Sequence, residues 1–220
     1  MKKYVCFGYS EKIEFDELKK PFKINKKLSV IIPTYNEEEN IKNIVTSVKE
    51  NLEKTKFKKD YEIIVVDDDS KDKPPKIIDD LSKKGNFIAL HRYDKKGLFS
   101  AIQDGIFVAN GKYVMTLDAD FSHPPELIPQ FIAEAEKYDV VYGSRYIGGG
   151  GIQNVAFLRE MGSRILNKMC IFIAGLNVSD FGGQFRLIKK KDYEKIIFRY
   201  NSKFAEYGIE LFYRIKKLGL

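Results

Sequence analysis

Apolar and polar positions along this chain fall into blocks that switch between two rhythms. Residues 28–33 (LSVIIP) form a short unbroken apolar run rich in β-branched side chains, the pattern of a strand buried on both faces. Asn36 and the acids Glu37, Glu38 and Glu39 follow, then Ile41, Ile44, Val45, Val48 and Leu52 recur at helical spacing. Asn at the cap with Glu three residues later predicts a helix start at Asn36, and the acids suit the positive end of that helix. The first unit therefore reads strand, turn, helix.

The unit then repeats. Residues 61–66 (YEIIVV) predict a second buried strand ending in Asp67, Asp68 and Asp69, with a helix near 75–83. A third strand is expected at 87–90, and a helix at 97–109 with Leu98, Ala101, Ile102, Gly105 and Ile106 facing inward. Residues 113–117 predict a fourth strand ending at Asp118, 125–138 a helix, and 140–142 a fifth strand. Such alternation implies the α/β class, a mostly parallel sheet with helices on both faces. Residues 1–27 read as an N-terminal extension and 28–220 as one domain. The glycines at 148–151 predict a mobile loop, and 155–175 reads as helical. Residues 203–218 predict an amphipathic helix with a basic end, packed on the core rather than lying in a membrane.

In open α/β sheets ligands sit outside the carboxyl ends of the strands. Those ends carry PTYNE (33–37), DDDS (67–70) and DAD (118–120), which the topology brings to one edge. Asp118 and Asp120 offer hard oxygen ligands suited to Mg²⁺ or Mn²⁺ and a diphosphate. Taken alone, the pair is equally an acidic turn. A basic set follows in Arg145, Arg159 and Arg164, with Ser163 nearby. Guanidinium groups bind phosphate oxygens through a planar fork, and Arg145 comes directly after the fifth strand.

Composition narrows the classes. The 220 residues carry 44% hydrophobic content, enough for one sizeable core, and a formal net charge of +7 that suits anionic partners. Two cysteines make no disulfide framework and fit a reducing, cytoplasmic setting. Two histidines cannot build a zinc site without other ligands. The amino terminus lacks the apolar stretch of a signal peptide, and no run approaches the roughly 20 apolar residues of a membrane span. No phosphate-cradling glycine motif in strand-to-helix context, hydrolase elbow, zinc-finger spacing or RNP-type strand occurs, so nucleic acid is not an expected partner.

The ordered set VIIPTYNEEENI, VVDDDS, KKGLFSAIQDGI, LDADFSHPPE and YGSRYIGGGG resembles glycosyltransferase family 2 with the GT-A (Rossmann-like) fold. Within it, the chain looks most like the dolichyl-phosphate mannose synthase branch of polyprenyl-phosphate glycosyltransferases. The resemblance covers roughly residues 28–188 and continues more weakly to 218. It implies that Pro33, Tyr35 and Glu37 bind the nucleotide and that Val66 and Asp68 contact base and ribose. It further implies Asp118 and Asp120 on the diphosphate and metal, with Ala119 and Ser122 beside them. Arg145, Arg159 and Ser163 are implied to hold the acceptor phosphate, and Asp180 stands in a matching later segment. Gln184 departs from the pattern, where Gly is usual. The family also commonly continues into a Pro-x-x-Phe…Arg…Gly-x-Ser-Lys segment, so a native chain extending past Leu220 is one expectation.

The activity implied by the resemblance is inverting transfer of a hexose to a polyprenyl (dolichyl) phosphate, with mannose from GDP-mannose as the first choice of donor. Glucose from UDP-glucose is an alternative. So is a GT-A transferase acting on a glycan hydroxyl, with Asp180 as base, or a binding module without turnover. An enzyme of the first kind is expected to sit peripherally at the cytoplasmic face of a membrane.

Overall fold

In the computed structural model of the protein, the described residues are 4–8, 11–15, 17, 20, 22–71, 74–83, 85–93, 97–147, 157–196 and 206–220. Strand β3 (Lys26–Thr34) is the centre of the sheet, with β4 (Tyr61–Asp67) parallel on one side and β6 (Gly111–Thr116) parallel on the other. β5 (Phe87–Arg92) pairs parallel with β4. Between the strands run α1 (Glu38–Glu53), α2 (Pro74–Ser82) and α3 (Leu98–Val108). After β6 come a short 3-10 turn (Pro125–Leu127), α4 (Ile128–Glu134) and β7 (Val140–Tyr142). Helices α5 (Phe157–Ile173), α6 (Lys190–Ile196) and α7 (Glu206–Lys217) complete the chain.

Successive side chains of a strand point to opposite faces, and here each face meets its own layer of helices. Leu28, Val30 and Ile32 of β3 pack with Val65, Met115 and the inner face of α1, α2 and α4. Ile31, Ile64, Val66 and Leu90 pack with α3, α6 and α7 on the other side. Double burial explains the unbroken apolar runs; each fully buried Leu, Ile or Val contributes about 1.5–3 kcal/mol. At Gly105 a Cβ would stand 2.6 Å from Ile31 Cγ2 and 3.0 Å from Val66 Cγ2, so only glycine lets α3 lie this close to the sheet.

The expected α/β architecture is present, with additions. The segment before β3 contributes β1 (Tyr4–Gly8) and β2 (Glu11–Phe15), an antiparallel hairpin that extends the sheet beyond β5. Strand β8 (Arg186–Lys189) inserts antiparallel between β6 and β7, so the fifth predicted strand is not the neighbour of the fourth. The helix expected at 125–138 is confined to the turn and α4. Leu98 is exposed rather than inward-facing. The carboxyl-terminal helix does pack on the core, through Tyr207, Leu211, Phe212 and Ile215. The glycines at 148–151 lie outside the described residues.

Candidate active site

The parallel strands lie in the order β5-β4-β3-β6. The chain steps outward from β3 to β5, then crosses back to β6, so the winding reverses between β3 and β6. That is where ligands bind in doubly wound sheets. A cleft of about 540 Å³ opens there. It is lined by Pro33, Thr34, Tyr35 and Glu37 after β3, Asp68 after β4, Gly97, Leu98 and Ala101 at α3, and Asp118, Ala119 and Asp120 after β6. Val66 is absent from this lining; its side chain is fully buried against α3.

The loops that shape the cleft are tied together. Asn36, Asp69 and Phe121, one in each of the three loops, have φ of 56°, 60° and 58°. Asn and Asp tolerate this left-handed region, whereas a bulky residue such as Phe held there costs on the order of 1–3 kcal/mol. The Asn36 N–H donates to Ser70 Oγ at 2.9 Å, and its Oδ1 accepts from Lys71 N at 2.9 Å. Asn36 is therefore a bridge between two loops. The cap of α1 is Glu37, which makes no side-chain capping bond, so the predicted capping role of Asn36 is corrected.

Consecutive acids at the end of β4 diverge to opposite faces, and each meets a buried basic side chain from β5. Asp67 faces His91, with Nδ1 at 3.2 Å from Oδ2. Asp68 faces the wholly buried Arg92, with Nη1 at 3.3 Å from Oδ1, and its Oδ2 accepts from Gly97 N at 2.6 Å. Arg92 also pairs with Asp104 of α3 at 3.0 Å and donates to Ser100 Oγ at 2.6 Å. Neither basic side chain was among the expected site residues. The available signal was "HRY" closing an apolar strand, since a buried charge needs a partner.

Asp118 and Asp120 stand on the loop after β6. Burial pushes the Asp118 carboxyl up to about 7, the Asp120 charge adds to this, and Arg186 and Arg145 act against it. Its Oδ1 is buried with no hydrogen-bond partner among the described residues, while Oδ2 lies 3.5 Å from His123 Nδ1. Burial holds the His123 imidazole neutral, down to about 4, and the ring packs on Phe185. Asp120 is exposed and its Oδ1 accepts from Ser122 N at 2.9 Å. An orphaned carboxylate oxygen beside a second carboxylate fits a divalent cation, which would relieve their mutual repulsion. No cluster of three or more His, Cys, Asp or Glu surrounds the pair among the described residues. An ion here would complete its shell with water and diphosphate oxygens, as Mg²⁺ commonly does.

Beyond the cleft, Arg145 is clasped by Asp180. Nε and Nη2 donate to the two carboxylate oxygens at 2.7 and 2.9 Å, and the Arg145 N–H adds a third bond at 3.1 Å. Burial opposes the Asp180 charge, but Arg145 and Gly182 N outweigh it and hold the carboxyl below its ordinary range. Ser163 lies within 2.8 Å of the Tyr146 hydroxyl, and the guanidiniums of Arg145 and Arg164 sit 5.2 and 5.3 Å from the Tyr146 ring centre. Tyr146 thus couples the end of β7 to α5. The Arg159 side chain lies outside the described residues. Gln184 offers its Oε1 to the buried Arg186, 3.4 Å away, which gives the departure from Gly a structural use.

Comparison with known proteins bears on the family and the fold. Dolichol-phosphate mannosyltransferase of Pyrococcus furiosus is 42% identical over 140 residues, covering 63% of this chain and 38% of that protein. Undecaprenyl-phosphate 4-deoxy-4-formamido-L-arabinose transferase of Proteus mirabilis is 34% identical over 171 residues, 76% of this chain and 50% of that protein. The chain thus spans half or less of these relatives. Among solved structures, glucosyl-3-phosphoglycerate synthase from Mycobacterium tuberculosis, in complex with Mn²⁺, UDP and glucosyl-3-phosphoglycerate, superposes with a TM-score of 0.61 at 19% identity, over 88% of this chain and 66% of that one. TarS from S. aureus gives 0.57 at 21% identity, over 85% and 54%. These likenesses identify the fold as GT-A. The profile described as glycosyl transferase family 2 matches residues 29–197, and the chain belongs to that family.

Proposed function

We propose that this chain is the catalytic domain of an inverting glycosyltransferase that moves a hexose from a nucleotide sugar to a polyprenyl phosphate, with mannose from GDP-mannose as the first donor to test. The observation that carries the reading is a carboxylate-floored cleft at the switch point in a chain that also presents a helix with a bare apolar face. On α5, Met161, Ile165, Leu166 and Met169 are exposed, and Phe172 and Ile173 are 86% and 78% exposed. Exposed Arg164 and Lys168 share that helix. Apolar side chains fringed by basic ones suit a helix lying in a membrane surface, where a polyprenyl phosphate would be presented. No helix among the described residues is long and apolar enough to cross a membrane. Relatives named for dolichol phosphate and undecaprenyl phosphate support the same acceptor class.

In this reading Tyr35, Glu37 and Asp68 hold the nucleotide and Pro33 shapes the floor beneath it. Asp118 and Asp120 hold Mg²⁺ or Mn²⁺, which when bound supplies positive charge to the departing nucleotide diphosphate. Arg145, Arg159 and Ser163 orient the acceptor phosphate, whose oxygen attacks the anomeric carbon from the face opposite the leaving group. Three Arg145 N–H groups are committed to Asp180, and Nη1 remains to meet the phosphate. A phosphate is already anionic near neutral pH, so no protein base is required.

That point weighs against a glycan hydroxyl acceptor. Such a reaction needs a carboxylate base, and both oxygens of Asp180 are engaged by Arg145. The test is incubation with GDP-mannose or UDP-glucose, Mn²⁺ and a polyprenyl phosphate in detergent. Lipid-linked sugar from one donor supports the reading and identifies the donor. Transfer to a glycan hydroxyl with none to the lipid phosphate would refute it.

A further inference from the structure

His91 is buried at the end of β5 with a carboxylate at each ring nitrogen. Nδ1 lies 3.2 Å from Asp67 Oδ2 and Nε2 lies 2.8 Å from Asp79 Oδ1 of α2. A neutral imidazole has one N–H, so one of its nitrogens would face a carboxylate lone pair to lone pair. Only the imidazolium donates to both. Asp67 in turn accepts from Ser70 N at 3.4 Å, and Ser70 Oγ accepts from Asn36 N at 2.9 Å. The chain of contacts runs from α2 through His91 to the two loops that carry Asp68 and Tyr35 into the cleft.

We propose that His91 is a positioning residue, held as an imidazolium between Asp67 and Asp79, which sets the shape of the 67–71 loop and makes nucleoside-diphosphate affinity fall in alkaline solution. This rests on the reading of the cleft as a nucleotide site. Burial works against the charge, but the hydrogen bonds to Asp67 and Asp79 outweigh it and carry the group up to about 9. Other charged or titratable groups in this neighbourhood, among the described residues, include Tyr93 at the end of β5, Asp69 and Lys71 in the loop, the lysine charge reaching Asp67, and Lys12 of β2, whose charge reaches Asp79 and Tyr93. Val5 of β1, the backbone neighbour of His91, is apolar.

Two measurements test this on the full chain. NMR of ¹⁵N-labelled histidine should find both His91 ring nitrogens protonated at neutral pH, with a midpoint about 9. Calorimetry with UDP or GDP and Mg²⁺ should find His91→Gln weaker than wild type at neutral pH by about tenfold, the worth of one charge-assisted hydrogen bond. The wild-type advantage should vanish as His91 loses its proton; the ratio of the two affinities cancels ionisation of the base itself. Asp79→Asn, outside the cleft, should lower the His91 midpoint and carry the affinity midpoint with it, and it serves if His91→Gln does not fold. A neutral ring at neutral pH, or an affinity midpoint that ignores Asp79→Asn, overturns the proposal. Failure to bind nucleotide at any pH, with the imidazolium present, instead overturns the reading of the cleft and this inference with it.

Discussion

Replacing Asp180 with Asn separates a clasp from a catalytic base. Asp180 is buried and receives four N–H groups, three from Arg145 and one from Gly182. Asn retains one acceptor oxygen and turns an NH₂ toward a guanidinium that can only donate. Removing one partner of a buried pair costs about 3–5 kcal/mol. The Arg145 side chain is 32% exposed and can rehydrate in part, so about 2–3 kcal/mol is expected. The carboxyl is held below its ordinary value of 3.8, so its contribution is present above that pH and is lost as pH falls through the lower folded value. Urea unfolding of wild type, Asp180→Asn, Arg145→Met and the double variant, at neutral pH, gives the coupling directly. A coupling near 2 kcal/mol, with acceptor KM raised more than donor affinity is weakened, fits the clasp. Coupling under about 0.5 kcal/mol, with normal stability and abolished turnover, would refute it, since that is how a general base behaves.

Asp120→Ala should abolish metal-dependent transfer in a lipid-linked sugar assay while leaving the urea midpoint within about 0.5 kcal/mol of wild type, as expected for an exposed side chain. Gly105→Ala should destabilise by about 1–3 kcal/mol in the same unfolding assay, because the added methyl meets Ile31 and Val66. Raising the pH should itself weaken the fold. His91 stabilises fully below its unfolded value of 6.5, and that contribution, about 3 kcal/mol, is lost as pH rises through about 9, an effect absent from His91→Gln melting curves. Phe172→Ser with Ile173→Ser should reduce sedimentation with anionic vesicles by about tenfold or more without changing UDP affinity, the two side chains together burying roughly 3 kcal/mol or more of apolar surface.

The central sheet was legible because its strands are buried on both faces and therefore apolar without interruption, as in 28–33 and 61–66. Periodicity carried α1 and α3 for the same reason, each having one face against the sheet. The missed elements lack that signal. β1 and β2 form a sheet-edge hairpin of mixed composition, and β8 is four residues long and begins with a buried arginine. A short strand with a charged inward residue matches neither periodic template. Its burial depends on Phe181 O, Gln184 and the Phe212 ring, which are contacts made only after folding.

The candidate site divides along a similar line. Side chains that reach into the cleft sit in polar strand ends, where sequence alone marks them: Asp68, Asp118 and Asp120. The residues that hold them sit inside the apolar runs or in contacts between distant segments. The sequence marks Arg92 only as a charge closing an apolar strand and does not name its partners, because Asp68 and Asp104 come from the end of another strand and from the following helix. Arg145 stood out in the sequence as a strand-end arginine, yet its pairing with Asp180 spans 35 positions and follows from where β7 and the 177–183 loop meet. This pairing changes the chemistry open to both groups. A guanidinium already bound to a buried carboxylate keeps a fixed orientation and a reduced net charge, which suits the positioning role proposed for Arg145. The same bond engages both oxygens of Asp180, and this is the ground on which an acceptor that brings its own negative charge is proposed over one that needs a base.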